Sequence, residues 1–357
     1  MSTEPEARGL DAINPVMRQA WYIVATSGEV RGKPLPRRIH DKPLVVWRDG
    51  EGKARVFLDR CPHRNVPLSE GAVDGGGLRC GYHGWRFDGT GACVEIPALE
   101  GTPDAPARRA TALPVVEQQG FVWVWTAPEV EPTCQPFRFA CADDPRYTVV
   151  RKALRARGSL HATIENALDV PHTAFLHGGL FRRSDTPRKP IRCVIQRWHD
   201  RAECHFHGES APTGLAARLL APGGGELTHV DRFWLPSITE VEYSMGDDTH
   251  LVLNGACTPV TPWETIVFAV VSIRSPMPGW MVRPVVEPIA LRIFDQDAVI
   301  LAQQTDLLHT FGEARFASTE IDVLGAHILR MMRRVERGEH AEPSDQPETE
   351  KEVTMWL

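Results

Sequence analysis

The second half of the chain is written in alternation. KPIRCVIQRWH (189–199), AECHFHGE (202–209), ELTHVDRFWLPSITEVEYSM (226–245), HLVLNGACTPV (250–260) and ETIVFAVVSIRS (264–275) put apolar residues at every second position. That period buries one face of a β-strand. The period then lengthens. VEPIALRIFDQDAVILAQQTDLL (286–308) and STEIDVLGAHILRMMRRVER (318–337) repeat as amphipathic helices do. An antiparallel sheet curving over a late helix makes an α+β domain with a covered cavity. Upstream, GFVWVWTAPEV (120–130) alternates as a closing strand, and EPTCQPF (131–137) reads as a proline-marked linker. The pattern predicts a β-rich domain over 15–128, a second domain over 129–340 and a polar, partly free tail over 341–357.

Composition narrows the function classes. The 357 residues are 42% hydrophobic and 24% charged, with net charge −6, ordinary values for a globular protein. No Lys/Arg cluster forms a nucleic-acid track, so no nucleic-acid partner is expected. MSTEPEARGL lacks an apolar export core, and no apolar run approaches ~18 residues, so no membrane partner is expected. Eight cysteines without an export signal read as a reducing, cytoplasmic setting. Cys93, Cys134, Cys141, Cys193, Cys204 and Cys257 share no spacing and read as ordinary thiols.

Cys61 and Cys80 differ. In CPHRNVPLSEGAVDGGGLRCGYHGW (61–85), Cys61 is followed by His63 and Cys80 by His83. Two thiolates and two imidazoles in two short loops make a four-ligand site. A structural zinc is one occupant, but zinc fingers keep their Cys pair together and their His pair together. One Cys and one His from each loop suit a two-iron cluster with two Cys on one iron and two His on the other. Pro62 and Pro67 stiffen the first loop, and Gly81 and Gly84 allow backbone N–H groups near the cluster sulfurs. These residues resemble the Rieske iron–sulfur signature, and the likeness extends back to WYIVATSGEV and PLVVWRDG and forward to FDGTGACVEIPA. Gly81 departs from it, since the family commonly has Pro there.

More than half of the chain follows that signature. GSLHATIENALDVPHTAFLHGGLF (158–181) predicts a helix capped by Ser159, with Glu165, Asn166, Asp169 and His172 on one face. Pro171 kinks or restarts it. His177 stands ~140° round an ideal helix from His172, so their rings meet only where the helix bends or ends. Gly178 and Gly179 supply that ending. Two His and one carboxylate leave iron open positions for oxygen. For the carboxylate, Asp297 lies mid-stripe, with Ile293, Ile300, Phe294, Leu301, Ala290 and Leu308 within roughly 60°. Asp295 and Asp306 fall opposite. A carboxylate on a buried stripe is costly unless paired or metal-bound; Arg292 is the alternative partner.

The spacing Glu165-x3-Asp169-x2-His172-x4-His177 resembles the mononuclear-iron motif of the Rieske non-heme iron oxygenases, oxygenase subunit. The resemblance implies a Rieske [2Fe-2S] domain bound through Cys61, His63, Cys80 and His83. It implies a helix-grip catalytic domain with mononuclear Fe(II) on His172, His177 and Asp297. Asp169 would bridge His172 to His83 of a neighbouring subunit in a head-to-tail homotrimer. Asn166 would stand near the open iron position, while Glu165 reads equally as a structural acid. With no flavin or nicotinamide fingerprint in the chain, NAD(P)H enters only through a separate reductase or ferredoxin. The expected reaction is O2-dependent monooxygenation, hydroxylation or demethylation of a small organic substrate. The alternatives are arene cis-dihydroxylation, amine oxidation, desaturation or cyclisation, and, in another class, an electron carrier with no second iron.

Other histidines read as structural: His205 and His207 on a half-exposed strand face, His161 behind the site, His309 at a helix C-terminus. Segments 210–245 and 275–285, with Phe233, Trp234, Met277 and Trp280, are expected to line an apolar pocket with Gln304 at its floor, and the loop 178–190 to act as lid or docking surface.

Overall fold

The computed structural model describes residues 10–178, 187–209, 227–246, 248–339 and 344–357. The chain divides into two compact units: Arg18–Arg138, and Met1–Met17 with Phe139–Leu357. The EPTCQPF segment therefore packs with the first unit. Trp21 Nε1 donates to Cys134 O at 2.8 Å, and Gln118 Nε2 to Phe137 O at 2.9 Å; prolines mark its turns, not a free linker.

The first unit is built from short strands: β1 (Trp21–Thr26), β2 (Leu35–Ile39), β3 (Lys42–Arg48), β4 (Ala54–Leu58), β5 (Ala72–Asp74), β6 (Gly77–Arg79), β7 (Arg86–Phe87), β8 (Cys93–Glu95), β9 (Ala112–Leu113), β10 (Val115–Gln118) and β11 (Phe121–Trp125). They form three antiparallel sheets, β1-β11-β10, β2-β3-β4-β9 and β5-β6-β7-β8. Trp47, Phe57, Leu68, Leu78 and Phe87 make a buried cluster that also contains Cys61 and Cys80. The apolar core thus clamps the base of both ligand loops.

The second unit starts with β12 (Thr148–Ala156), followed by α1 (Leu160–Ala167) and the single turn α2 (Thr173–Leu176). Strands β13 (Pro190–Arg197), β14 (Arg201–His207), β15 (Leu227–Trp234), β16 (Ile238–Met245), β17 (Thr249–Thr261) and β18 (Glu264–Arg274) come next, then α3 (Gly279–Phe311), α4 (Gly325–Glu336) and β19 (Thr349–Trp356). All eight strands join one antiparallel sheet in the order β12-β18-β17-β16-β15-β14-β13-β19. The segment 226–245 folds as a hairpin, turning at Pro236. Val282 and Val286 of α3 pack on Val150, Val271 and Ile273 of the sheet, so the long helix covers that face. No helix among the described residues is long and apolar enough to cross a membrane.

Three expectations change. The tail is not free: Thr349–Trp356 pairs with β13 over eight residues and buries Met355. The late helix begins at Gly279, running through Pro284 and Pro288, because sheet packing of its first turns outweighs the lost hydrogen bonds. Its apolar stripe is only partly buried: Leu301 is, but Ile300 is 42% exposed.

Candidate metal centres

The two Rieske-like loops are built alike. In each, the Cys N–H donates to the carbonyl five residues on: Cys61 to Val66 at 2.9 Å, Cys80 to Trp85 at 2.8 Å. In each, the residue four after the Cys donates back to the Cys carbonyl: Asn65 at 2.9 Å, Gly84 at 3.1 Å. Both of those residues have positive φ, 60° and 73°, which Asn and Gly tolerate best. The repeat brings the His63 and His83 rings to 4.5 Å. Trp85 stacks on His63 at 4.6 Å with 6° between planes. Burial pushes the Cys61 thiol up to about 11, so in a metal-free loop it is protonated. His63 Nδ1 is buried without a hydrogen-bond partner. An orphaned imidazole nitrogen beside two buried thiols fits an iron–sulfur cluster.

The second cluster is assembled by a broken helix. Ser159 Oγ accepts from Ala162 N at 3.1 Å and starts α1, which stops at Ala167 before Pro171. One turn, α2, restarts it, with His172 at its N-cap position and His177 at its C-cap position. That break brings the two rings to 5.1 Å, which an unbroken helix forbids. Asp297 comes from α3. Among the described residues, His172, His177 and Asp297 are the one group of three such side chains whose donor atoms all lie within 4.8 Å of each other.

Atom by atom, the two Nε2 atoms are 3.2 Å apart. Asp297 Oδ1 lies 3.5 Å from His172 Nε2 and 3.2 Å from His177 Nε2. The far nitrogens are held outward. His172 Nδ1–H donates to Asp169 Oδ2 at 3.1 Å, and His177 Nδ1–H donates to Gln296 Oε1 at 3.0 Å. With both Nδ1 atoms protonated, two neutral rings turn two lone pairs and a carboxylate oxygen toward one point. That arrangement is repulsive unless a cation or protons sit there. Burial opposes charge on Asp297, but the two imidazoles outweigh it and hold the carboxyl below its ordinary range. Such a donor set fits a divalent metal with open positions.

Asn166 Nδ2 donates to Asp297 Oδ1 at 3.4 Å, so Asn166, Asp169, His172, His177 and Asp297 come together as one group. Gln296 was not among the sequence candidates. Its signal is weak: a polar residue beside Asp297 but about 100° round the helix from it. Glu165 packs elsewhere, against Gly325, where an added Cβ would meet its Oε1 at 2.0 Å. Burial pushes its pKa up. His161 is buried behind α1, its Nε2 on Gly325 O at 3.0 Å. His205 pairs with Glu203 at 3.3 Å on the outer sheet face, and His309 meets Trp263 in the last turn of α3.

The expected pocket lining is corrected in part. Phe233 is fully buried, but Trp280 is 76% exposed, since it stands in the first turn of α3. Trp234 faces outward beneath the Arg201 guanidinium, 5.3 Å away. Residues 210–226 and 179–186 of the expected lining and lid lie outside the described residues.

A β-rich unit with paired Cys/His loops, joined to an eight-stranded sheet gripping a long helix with a two-His, one-Asp cluster, defines the Rieske oxygenase class. The comparisons agree. Residues 20–111 match the Rieske [2Fe-2S] domain, and residues 157–338 match the vanillate O-demethylase oxygenase C-terminal domain. The chain belongs to this vanillate O-demethylase-type family of Rieske oxygenases. It is 36% identical over 252 residues to the dicamba O-demethylase oxygenase component of Stenotrophomonas maltophilia, covering 70% of this chain and 64% of that one. It is 26% identical over 339 residues to the vanillate O-demethylase oxygenase subunit of Pseudomonas sp. (strain HR199 / DSM 7063), covering 89% and 94%. The fold matches crystalline dicamba monooxygenase bound to dicamba, with TM-score 0.75, 24% identity and coverage of 91% and 99%. The alignments span 64% of the dicamba component and 54% of the Arabidopsis thaliana protein TIC 55, chloroplastic, so under two thirds of these first relatives.

Proposed function

We propose that this chain is the oxygenase component of a multi-component system that oxidises a small organic molecule with O2, by monooxygenation leading to hydroxylation or demethylation. The observation that carries the reading is the convergence of His172 Nε2, His177 Nε2 and Asp297 Oδ1 within 3.5 Å of one another. When bound, the [2Fe-2S] cluster and the mononuclear Fe(II) supply electron transfer and oxygen activation. The chain's own residues prepare both sites. Asp169 and Gln296 fix the rings so that each Nε2 lone pair faces inward. Asp297 supplies the anionic ligand, and Asn166 steadies its Oδ1. Cys61 and Cys80 supply thiolates, His63 and His83 imidazoles, and Trp85 holds the His63 plane. The family likeness to O-demethylase components supports the reaction class, with electrons from NAD(P)H arriving through a separate reductase.

A head-to-tail homotrimer belongs to this reading. Asp169 is one third exposed while one oxygen holds His172, and His83 is exposed at the loop tip. These exposures support a carboxylate shared with a neighbouring copy's Rieske loop. Cysteines that are all free support a reducing, cytoplasmic location.

The test is metal counting joined to product analysis. An oxygenase holds two irons in the cluster and a third at the triad, whereas a carrier holds the cluster alone. His177→Ala is expected to lose the third iron and all turnover while keeping the cluster's brown colour. Labelled O2 is expected to leave one labelled atom in a hydroxylated product or, on demethylation, in promptly trapped formaldehyde. Two labelled atoms in a vicinal diol overturn monooxygenation, and a wild-type chain without the third iron overturns the oxygenase reading. Sedimentation as an active monomer overturns the trimer.

A further inference from the structure

The two ligand loops of the first unit end in different chemistry. The second, Gly81-Tyr82-His83-Gly84-Trp85, carries no formal charge. At its tip Tyr82 is 63% exposed and packs on His83, with ring centroids 3.8 Å apart. The first loop is cationic. Arg60 and Arg64 flank Cys61 and His63, and both are exposed. Strand β3 brings a third cation to them. Its ladder with β4 runs on to a bond from Asp59 N–H to Pro43 O at 3.0 Å. Arg60 therefore leaves the sheet beside Lys42, which is also exposed.

The carboxylates near these three cations are engaged elsewhere. Asp59 accepts from Ser69 N at 2.7 Å and from Ser69 Oγ at 2.5 Å. Asp41 pairs with Arg38 at 3.6 Å. Glu70 is exposed but stands by the second loop, where its carbonyl oxygen is 2.9 Å from a Cβ built on Gly81. Arg60 Nε donates to the neutral Asn65 Oδ1 at 2.6 Å. Among the described residues, Lys42, Arg60 and Arg64 meet no carboxylate. Other arginines of the unit are matched: Arg48 by Glu117, Arg55 by Asp49, and Arg79 and Arg86 by Glu95. The unmatched cations are thus gathered beside a ligand loop of the cluster. An exposed patch of one sign repels itself but attracts and orients an oppositely charged partner.

We propose that Lys42, Arg60 and Arg64 form the docking surface for the electron donor, and that the donor is a protein with an acidic face around its own iron–sulfur centre. This rests on the oxygenase reading and names the partner which that reading requires. One electron leaves the donor's reduced centre, which is thereby oxidised, and reduces one Fe(III) of the [2Fe-2S] cluster to Fe(II). The cationic loop carries His63, so a donor docked there meets one ligand imidazole. The uncharged tip at Tyr82 and His83 is left for the neighbouring copy. Steering of this kind acts mainly on association and is screened by salt.

The test measures calorimetric binding of a purified acidic plant-type [2Fe-2S] ferredoxin to the cluster-loaded full chain, with basic cytochrome c as the probe of opposite charge. The ferredoxin's potential lies below the Rieske range, so the same pair also reports electron transfer by stopped flow. The wild type is expected to bind the ferredoxin and not cytochrome c. Its affinity is expected to fall at least about tenfold between roughly 20 and 200 mM salt. The double variant Arg60→Gln/Arg64→Gln is expected to lose about tenfold in affinity at low salt. Its visible spectrum and assembly state stay unchanged, and cluster reduction by sub-saturating reduced ferredoxin slows in proportion. Arg64→Lys, which keeps the charge, is expected to keep the affinity. Absent ferredoxin binding, cytochrome c bound as tightly, or an unchanged affinity in the double variant overturns the proposal. A double variant with an altered assembly state overturns it too, by assigning the arginines to subunit contacts. The oxygenase reading fails separately, through a missing third iron, whatever these affinities are.

Discussion

His177 donates its Nδ1–H to Gln296 Oε1 at 3.0 Å, and Gln296 immediately precedes Asp297, which lies 3.2 Å from the other nitrogen of the same ring. Two successive residues of α3 therefore grip one imidazole from both sides. Gln296 sets the tautomer, and Asp297 shares the point toward which the free lone pair is aimed. Since removing such a supporting acceptor typically costs about 10–100-fold in metal affinity, Gln296→Leu is expected to weaken Fe(II) binding by that order. Gln296→Glu, which keeps an acceptor, restores it. Competition against a chelator, with Co(II) as a spectroscopic stand-in, gives the affinities. Equal affinity in the Leu variant and the wild type removes Gln296 from the site.

The triad also sets a pH signature. In the metal-free chain burial pulls the His172 pKa down, but Asp169 and Asp297 outweigh it and raise it from 6.5 to about 9. A folded value above the unfolded one stabilises fully below 6.5, and that stability is lost as pH rises toward about 9. His229 is raised to about 9 as well, Asp231 and Glu209 outweighing its burial, and it acts alike with and without metal. Metal keeps His172 deprotonated throughout. The metal-free chain is therefore expected to lose more melting temperature across this window than the Fe(II)-loaded chain. Parallel slopes in a pH series of melting curves contradict the assignment of His172 as a ligand.

Cluster retention depends on a close backbone approach. A Cβ on Gly71 would sit 2.0 Å from Arg79 O and 3.1 Å from Leu68 O. These are backbone atoms, so no rotamer change relieves the clash, and Arg79 directly precedes Cys80. Overpacking of this kind costs about 1–3 kcal/mol. Gly71→Ala is expected to lower the melting temperature of the Rieske unit and bleach its visible absorption on standing. Gly52→Ala, where nothing lies within 4 Å although φ is +77°, is the milder control. If Gly71→Ala holds its cluster as firmly as Gly52→Ala does, the approach does not govern retention.

What is legible in the sequence follows how local the physics is. The paired loops at Cys61 and Cys80 are readable because a short spacing and two turn residues settle each one. The break between α1 and α2 is readable because Pro171 announces it. Asp297 is found through its helical phase, although the exposure of Ile300 and Val299 shows that the buried stripe is narrower than the apolar one. Gln296 escapes because its partner is 119 positions away in sequence and no periodicity marks it. Strand β12, TVVRKALRA, escapes because Arg151, Lys152 and Arg155 interrupt its alternation; its register with β18 supplies the pairing that its composition conceals.

The C-terminal strand hides for a related reason. β19 is charged because it is a sheet edge: Glu350, Lys351 and Glu352 are exposed, and Met355 alone is buried. Charges on an edge block pairing with other chains, and they also make the segment read as a solvated tail. Its attachment is specific. Arg197 pairs with Glu348 at 3.2 Å, Arg192 with Glu352 at 3.1 Å, and Gln196 Nε2 donates to Glu350 Oε2 at 2.6 Å. Ending the chain after Glu348 strips β13 of its neighbour and exposes apolar Ile191 and Cys193. Losing a buried Met side chain alone costs about 2–5 kcal/mol, so the truncated chain is expected to melt lower and to aggregate on heating, with the triad's iron still bound at low temperature. Met355→Ala is expected to reproduce most of the stability loss without the aggregation, since it leaves the edge covered. Light scattering during thermal unfolding separates the two. A truncated chain that melts where the full chain does shows β19 to be dispensable.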